Sequence, residues 1–144
     1  MSSPQTISTN SLVSLNPATG EELGSAPIAT REEVLEAVAR AGSAFASWSK
    51  TSFRERAKYI LAARQEILRR IDEIAALVSK ETGKPRVEAL SCEVVPIADL
   101  MAYFAKNAEK LLRPERVSIG KFNWMGRSSW LVHKPLGVIG IISP

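Results

Sequence analysis

The last twelve residues, His133-Lys-Pro-Leu-Gly-Val-Ile-Gly-Ile-Ile-Ser-Pro144, decide how the rest of the chain is interpreted. From Gly137 to Ile142 they form a nearly continuous apolar, mostly β-branched run without polar alternation, which is typical of a strand buried on both faces of a parallel sheet. No other stretch of the sequence offers a second such run to pair with it. We therefore expect the front part of a larger α/β protein.

Length and composition add few further constraints on the fold. Its 144 residues are enough for one domain, and 45% hydrophobic with 24% charged residues is typical of a soluble globular protein. The longest apolar run, Val138 to Ile142, is too short to cross a bilayer, and residues 1–6 lack the features of a secretory leader. The single cysteine, Cys92, cannot form an internal disulfide. These features predict a cytoplasmic protein with no membrane partner.

The net charge of +4 raises the question of nucleic-acid binding. Basic residues alternate with acidic ones along the helical stretches, as in Arg54-Glu55-Arg56, and this pattern is typical of a solvent-exposed helix face. We therefore predict no nucleic-acid partner. A small nucleic-acid binder stays open as a rival, and its binding would weaken steeply with salt.

Local signals predict a hairpin followed by helices. Residues 12–15 and 22–27 have strand character around the turn sequence Asn16-Pro-Ala-Thr-Gly20. Capping boxes at Thr30 with Glu33 and at Ser52 with Glu55 then predict two helix starts. Apolar residues follow both caps at helical spacing.

The later boundaries depend on proline and glycine. The second helical region should end at Thr82-Gly83, and a local bend near Ile71 is compatible with its pattern. Pro85 suits the first turn of a third region, which Pro96 should kink or break near Cys92 and Glu93 and Pro114 should close. Residues 117–133, rich in β-formers and aromatics, predict an extended arm or hairpin that pairs with sheet elsewhere or with another subunit.

Four segments in order carry a family resemblance: Asn16-Pro-Ala-Thr-Gly-Glu21, Ala44-Phe-Ala-Ser-Trp48, Glu81-Thr-Gly-Lys-Pro85 and the final twelve residues. Together they resemble the N-terminal part of an NAD(P)-dependent aldehyde dehydrogenase, over about residues 12 to 144. Full-length members oxidise an aldehyde to a carboxylic acid through a cysteine thiohemiacetal. The resemblance thus implies an aldehyde substrate and NAD or NADP as cofactor for the complete enzyme.

The implied fold is α/β: an N-terminal helical layer and the first strand of a doubly wound cofactor-binding domain, with a β-arm for oligomerisation. The domain would be incomplete. We expect residues 1–11 to be a disordered tail on composition, 12–116 to hold the hairpin and helices, 117–135 to form the arm and 136–144 to form the first sheet strand.

By resemblance, the backbone around Ile142, Ser143 and Pro144 lines the nicotinamide-ribose side of the dinucleotide site, in agreement with ligand binding at the carboxyl ends of parallel strands. The family's nucleophilic cysteine, general-base glutamate and oxyanion-binding asparagine have no counterpart here. We therefore assign no catalytic residue, and we expect this chain alone to be inactive and to bind the cofactor poorly.

Two residues of the third helical region need separate assignments. Cys92 lies between Ser91 and Glu93, and because a neighbouring carboxylate disfavours a thiolate, we assign it a structural role. By resemblance, Glu93 contributes to a structural monovalent-cation site, because an acidic residue precedes the aromatic pair Tyr103-Phe104 by about ten positions in related enzymes. An ordinary surface or helix-capping glutamate is the alternative.

The predicted assembly is a homo-oligomer formed through the β-arm. A rival hypothesis is a stand-alone interaction module that docks on a full-length relative through residues 117–134. A well-folded monomer that ignores such a relative would contradict this rival.

Overall fold

The computed structural model describes residues 11–142. Its elements in chain order are strands β1 (Ser11–Leu15) and β2 (Glu22–Pro27), helices α1 (Arg31–Trp48), α2 (Phe53–Arg69), α3 (Ile71–Thr82) and α4 (Arg86–Glu88), a π-helix (Ala89–Val94), helix α5 (Val95–Leu111), strand β3 (Glu115–Val117), a 3₁₀-helix (Gly120–Asn123) and strand β4 (Ser129–Leu131).

The described residues divide into two compact units. The first unit contains residues 11–37 and 65–99, and the second contains residues 38–64 and 100–142. Each unit combines helices with one two-stranded antiparallel sheet, β1–β2 in the first and β3–β4 in the second.

The predicted N-terminal hairpin is confirmed. β1 pairs with β2, and the turn is closed by a 2.8 Å hydrogen bond from the Asn16 N–H to the Glu21 carbonyl. Within the first unit the hairpin reaches the end of α3, where the Ser14 hydroxyl donates to Glu81 Oε1 at 3.0 Å. This hydrogen bond between residues distant in sequence holds the hairpin against α3, the helix that precedes Gly83.

Both predicted capping boxes are present. The Glu33 N–H donates to Thr30 Oγ1 at 3.2 Å, and the Thr30 N–H donates to Glu33 Oε2 at 2.7 Å. At the second box the Ser52 N–H donates to Glu55 Oε2 at 2.8 Å and the Glu55 N–H donates to Ser52 Oγ at 3.2 Å. The hydrogen bonds from the Ser52 N–H and hydroxyl lower the pKa of Glu55.

An arginine joins α1 to α2 in the second unit. Arg56 Nη2 donates to the carbonyls of Ser49 and Thr51 at 3.3 and 3.0 Å. Its guanidinium also lies 5.9 Å from the ring centroid of Trp48 and 5.8 Å from that of Phe53. α1 has no basic residue in its own last turn. Arg56 of α2 supplies a positive group there, since its Nη2 also donates to the carbonyl of Trp48, the last residue of α1, at 3.4 Å.

The second helical region ends at Gly83, as predicted. It is interrupted at Arg70, between α2 and α3 and next to Ile71, where the sequence pattern is compatible with a bend. α3 then ends at Gly83, which has φ of +74° and donates its N–H to the Ser79 carbonyl at 2.9 Å. A side chain at Gly83 would be strained by this backbone conformation and would lie 3.1 Å from the Pro17 ring.

Pro96 changes the helix type near Cys92 and Glu93 without breaking the helix, so of the predicted kink or break the break is absent. The π-helix covers Cys92 and Glu93 and continues directly into α5, with the Val95 N–H donating to the Leu90 carbonyl. In an α-helix the proline ring would clash with the carbonyl of Cys92 and leave that carbonyl without its N–H donor. A wider turn moves the carbonyl, so the chain stays helical.

The predicted arm is a hairpin. β3 and β4 are antiparallel, with Arg116 opposite Trp130, and the 3₁₀-helix lies in the connection. The first strand begins at Glu115, two residues before the predicted boundary at 117, because Glu115 and Arg116 have partners in β4.

Both ends of the chain differ from expectation. Ser11 belongs to β1 and not to a disordered tail, because Pro27 lies opposite it in the ladder; the remaining residues of the predicted tail, 1–10, lie outside the described residues. The described part of the predicted 136–144 strand, residues 136–142, is not a strand. A strand requires a hydrogen-bonded neighbour, and within residues 11–142 the two sheets contain β1 to β4 alone.

Burial is slight. Among the described residues the buried ones are Ala75, Ala89, Val94 and Ala98, and all four lie in the first unit. Large apolar side chains on α1, α2 and α5 are exposed, including Leu35, Tyr59 and Leu100. None of the helices in residues 11–142 combines the length and apolar character that a bilayer crossing requires.

This burial pattern predicts weak cooperativity in the isolated chain. Apolar helix faces left in water contribute little to the free energy of folding, so we expect a broad thermal transition and strong binding of a hydrophobic dye. Circular dichroism with a dye-binding assay tests this. A sharp cooperative transition from a monodisperse monomer would contradict it.

The second capping box provides a local prediction. Ser52→Ala removes the Oγ acceptor of the Glu55 N–H, which costs about 1 kcal/mol and should lower amide-exchange protection in the first turn of α2 about fivefold. Ser43→Ala, in the interior of α1, is the matched control and should leave protection in α2 unchanged. Equal effects of the two substitutions would refute the capping role.

Candidate functional site

The C-terminal segment, residues 132–142, contains one described residue of the predicted cofactor site. Ile142 is 100% exposed, whereas Ser143 and Pro144 lie outside the described residues. Gly137 has φ of +100°, and the bend it introduces precedes the apolar residues 138–142. The structure therefore leaves the Ile142 side chain accessible to solvent.

An open groove of about 400 Å³ lies beside this segment in the second unit. Residues 137–139 form one wall, and α1 forms the other with Ala41, Ala44, Phe45 and Trp48. The Trp48 ring also contacts Tyr59, with centroids 5.7 Å apart. Two of the α1 residues that line this groove are alanines.

The Glu81-Thr-Gly-Lys-Pro85 motif surrounds an ion pair in the first unit. Lys84 Nζ lies 2.6 Å from Glu93 Oε1, and this hydrogen bond raises the pKa of Lys84. The Ser79 hydroxyl donates to the Lys84 carbonyl at 2.7 Å and thereby holds the loop on the end of α3. The motif therefore connects α3 to the π-helix through one charged contact.

This contact bears on the predicted cation site. The Glu93 carboxylate is 45% exposed and already has an ammonium group beside it, which would repel a further cation. Within residues 11–142 no three His, Cys, Asp or Glu side chains come together as a possible metal site. A monovalent cation at Glu93 stays a prediction, and it would require Lys84 to move.

Cys92 is exposed on the π-helix. Its Sγ lies 3.7 Å from the Ser91 hydroxyl oxygen, and a hydroxyl is not a base that activates a thiol. The structural role assigned to Cys92 from the sequence stays a prediction.

Sequence reasoning missed two features of the first unit. One is the Lys84–Glu93 pair, whose nine-residue separation brings the side chains together only because of the intervening turn and π-helix. The other is an open apolar groove of about 290 Å³ among α2, α3, the π-helix and α5. It is lined by Ile67, Ile74, Val78, Glu93, Val94 and Ile97. The helical stripes contained these apolar residues, but periodicity did not indicate that they line one groove.

Comparisons with known proteins identify the family. The Aldehyde dehydrogenase family model matches residues 5–144. The chain is 29% identical over 133 residues to 4,4'-diapolycopene aldehyde oxidase of a Methylomonas species, covering 92% of this chain and 25% of that protein. It is 35% identical over 133 residues to succinate-semialdehyde dehydrogenase [NADP(+)] 1 of Mycobacterium bovis, covering 92% of this chain and 28% of that protein.

A solved structure agrees. That of PnpE in complex with nicotinamide adenine dinucleotide superposes with a TM-score of 0.68 at 27% identity, covering 76% of this chain and 22% of that one. The chain thus spans about a quarter of the length of the relatives it matches. A match to the family model along almost its whole length shows that this chain belongs to the aldehyde dehydrogenase family.

Proposed function

We propose that residues 12–144 act as the N-terminal part of an enzyme that oxidises an aldehyde to a carboxylic acid with NAD or NADP. The observation that carries this proposal is the family match over residues 5–144. In this role the helices cover one side of a doubly wound sheet, and residues 136–144 become its first strand. The exposed apolar faces of α1, α2 and α5 support the proposal, because they require a covering surface.

The cofactor would lie at the end of that strand. One similar protein is named for NADP(+), and one similar structure contains nicotinamide adenine dinucleotide. When bound, the dinucleotide accepts a hydride from the substrate. The full exposure of Ile142 fits the residues around 142–144 as one edge of such a site, where backbone groups position the nicotinamide ribose.

We assign no catalytic residue to this chain. Cys92 is the sole cysteine, and the hydroxyl beside it does not provide a base. The nucleophilic thiol, the general base and the oxyanion-binding amide of the reaction would come from the part of the enzyme that completes the sheet. Alone, the chain would be inactive and would bind NAD or NADP poorly, because one strand end supplies few of the contacts to a dinucleotide.

The β3–β4 hairpin is proposed as the oligomerisation arm. Val117 and Trp130 are exposed on its strands, and a two-stranded sheet has two free edges that favour pairing with another chain. The same observation supports the second candidate, an interaction module that docks on a full-length relative through residues 117–134. A cytoplasmic location, expected from the single cysteine, stays a prediction.

A chimera tests the proposed enzyme. Residues 11–144 replace the matching N-terminal part of the Mycobacterium bovis succinate-semialdehyde dehydrogenase, and NAD(P)H formation from succinate semialdehyde is measured. We expect the chimera to be active, its Cys92→Ser variant to have the same kcat, and the isolated chain to show no turnover. Turnover by the isolated chain, or an inactive but folded chimera, would contradict the proposal.

A second measurement separates the roles of the arm. In the chimera, Val117→Asp with Trp130→Asp should shift the mass in analytical ultracentrifugation from oligomer to monomer, because charge is unfavourable in a sheet interface. Lys50→Asp, at an exposed polar residue in the turn after α1, is the control and should not change the mass. If the isolated 144-residue chain instead comigrates with the full-length relative through these residues, the docking module is supported over the oligomerisation arm.

A further inference from the structure

Arg56, in the first turn of α2, reaches back from that helix to the turn before it. Its Nε donates to Thr51 Oγ1 at 2.9 Å, and its Nη2 donates to the carbonyls of Ser49 and Thr51 at 3.3 and 3.0 Å. Nη2 also donates to the carbonyl of Trp48, the last residue of α1, at 3.4 Å. One guanidinium group thus holds the turn that joins the two helices.

The same guanidinium group lies against the Trp48 ring. Its Cζ is 5.9 Å from the ring centroid, which is within the range of a cation–π contact. Tyr59, one turn after Arg56 on α2, contacts the ring with a centroid distance of 5.7 Å. The Thr51 hydroxyl also donates to the Trp48 carbonyl at 2.7 Å. Both the backbone and the ring of Trp48 are therefore held in place by the residues that follow α1.

Trp48 lines the open groove of about 400 Å³ whose other wall is residues 137–139. Gly137 is half-buried, whereas the other residues of the C-terminal segment, 132–142, are exposed. With φ of +100°, Gly137 also changes the direction of the chain, and the residues after it lead from the groove to Ile142. A displacement of the Trp48 ring would therefore change the space that residues 137–139 occupy.

We infer that Arg56 is a positioning residue for the dinucleotide. It holds the Trp48 ring, the ring limits the path of residues 137–139, and this path sets the position of the backbone around 142–144. The inference rests on the proposed function, because that function makes residues 142–144 one edge of the cofactor site. Backbone groups that move by about 1 Å lose most of their value for holding a ligand in a productive geometry.

The alternative is that Arg56 only stabilises the turn between α1 and α2. In that case its loss would lower the melting temperature, but the folded enzyme would bind its cofactor and its aldehyde as before. A positioning role instead predicts a selective effect on the cofactor. The two roles therefore differ in which Michaelis constant changes, and not in the loss of stability.

The chimera with the Mycobacterium bovis enzyme tests the inference by steady-state kinetics on folded protein. We expect Arg56→Ala to raise the KM for NADP about tenfold and to change the KM for succinate semialdehyde less than about twofold, because one edge of the dinucleotide site is displaced. Arg56→Lys keeps the charge but not the planar fork of donors, so it should raise the KM for NADP by a smaller factor.

Ser52→Ala is the matched control for stability. It removes the hydrogen bond from the Glu55 N–H in the same turn of α2 but keeps Arg56 and Trp48. It should lower the melting temperature and leave the KM for NADP unchanged. Fluorescence titration with NADPH gives the dissociation constant directly. If Arg56→Ala does not fold, Arg56→Lys carries the comparison.

Two results in an active chimera would overturn the inference and leave the proposed function intact. One is an unchanged KM for NADP in both Arg56 variants, and the other is an equal rise of that KM in Ser52→Ala. An inactive but folded parent chimera would instead contradict the proposed function, and the inference with it.

Discussion

The backbone N–H groups at the starts of α1 and α2 have hydrogen-bond acceptors within the chain. These hydrogen bonds determine where the two helices begin. Thr30 with Glu33 and Ser52 with Glu55 form reciprocal hydrogen bonds at the two helix starts. Arg56 then binds the carbonyls of Ser49 and Thr51 after the end of α1. These contacts are local, so they form without a large core and determine where each helix begins and ends.

The apolar core, in contrast to these local hydrogen bonds, is small. The buried residues of the described chain are three alanines and one valine, while larger apolar side chains line open grooves or face water. Local hydrogen bonds define the helices, but burying a helix face requires a second layer. Membership of the aldehyde dehydrogenase family gives a physical reason for this imbalance: relatives are about four times as long, and the proposal places a sheet against these faces.

One motif of the family resemblance has contacts in the described chain that are structural. Glu81 to Pro85 carries part of the family resemblance, and in the structure it holds three elements together. Glu81 accepts from Ser14 of the hairpin, Gly83 ends α3, and Lys84 pairs with Glu93 of the π-helix. The motif thus acts on the scaffold in the described chain.

The sequence by itself determined the N-terminal hairpin, the helix starts at Arg31 and Phe53, the end at Gly83 and the family, because caps, turns and motifs depend on residues close together along the chain. Only the tertiary structure decided that Pro96 is accommodated by a π-helix, that Lys84 reaches Glu93 and that Trp124 lies exposed at a turn. These outcomes depend on backbone paths that periodicity does not encode. The predicted strand at 136–144 shows the same limit, since an apolar run becomes a strand only where another strand pairs with it.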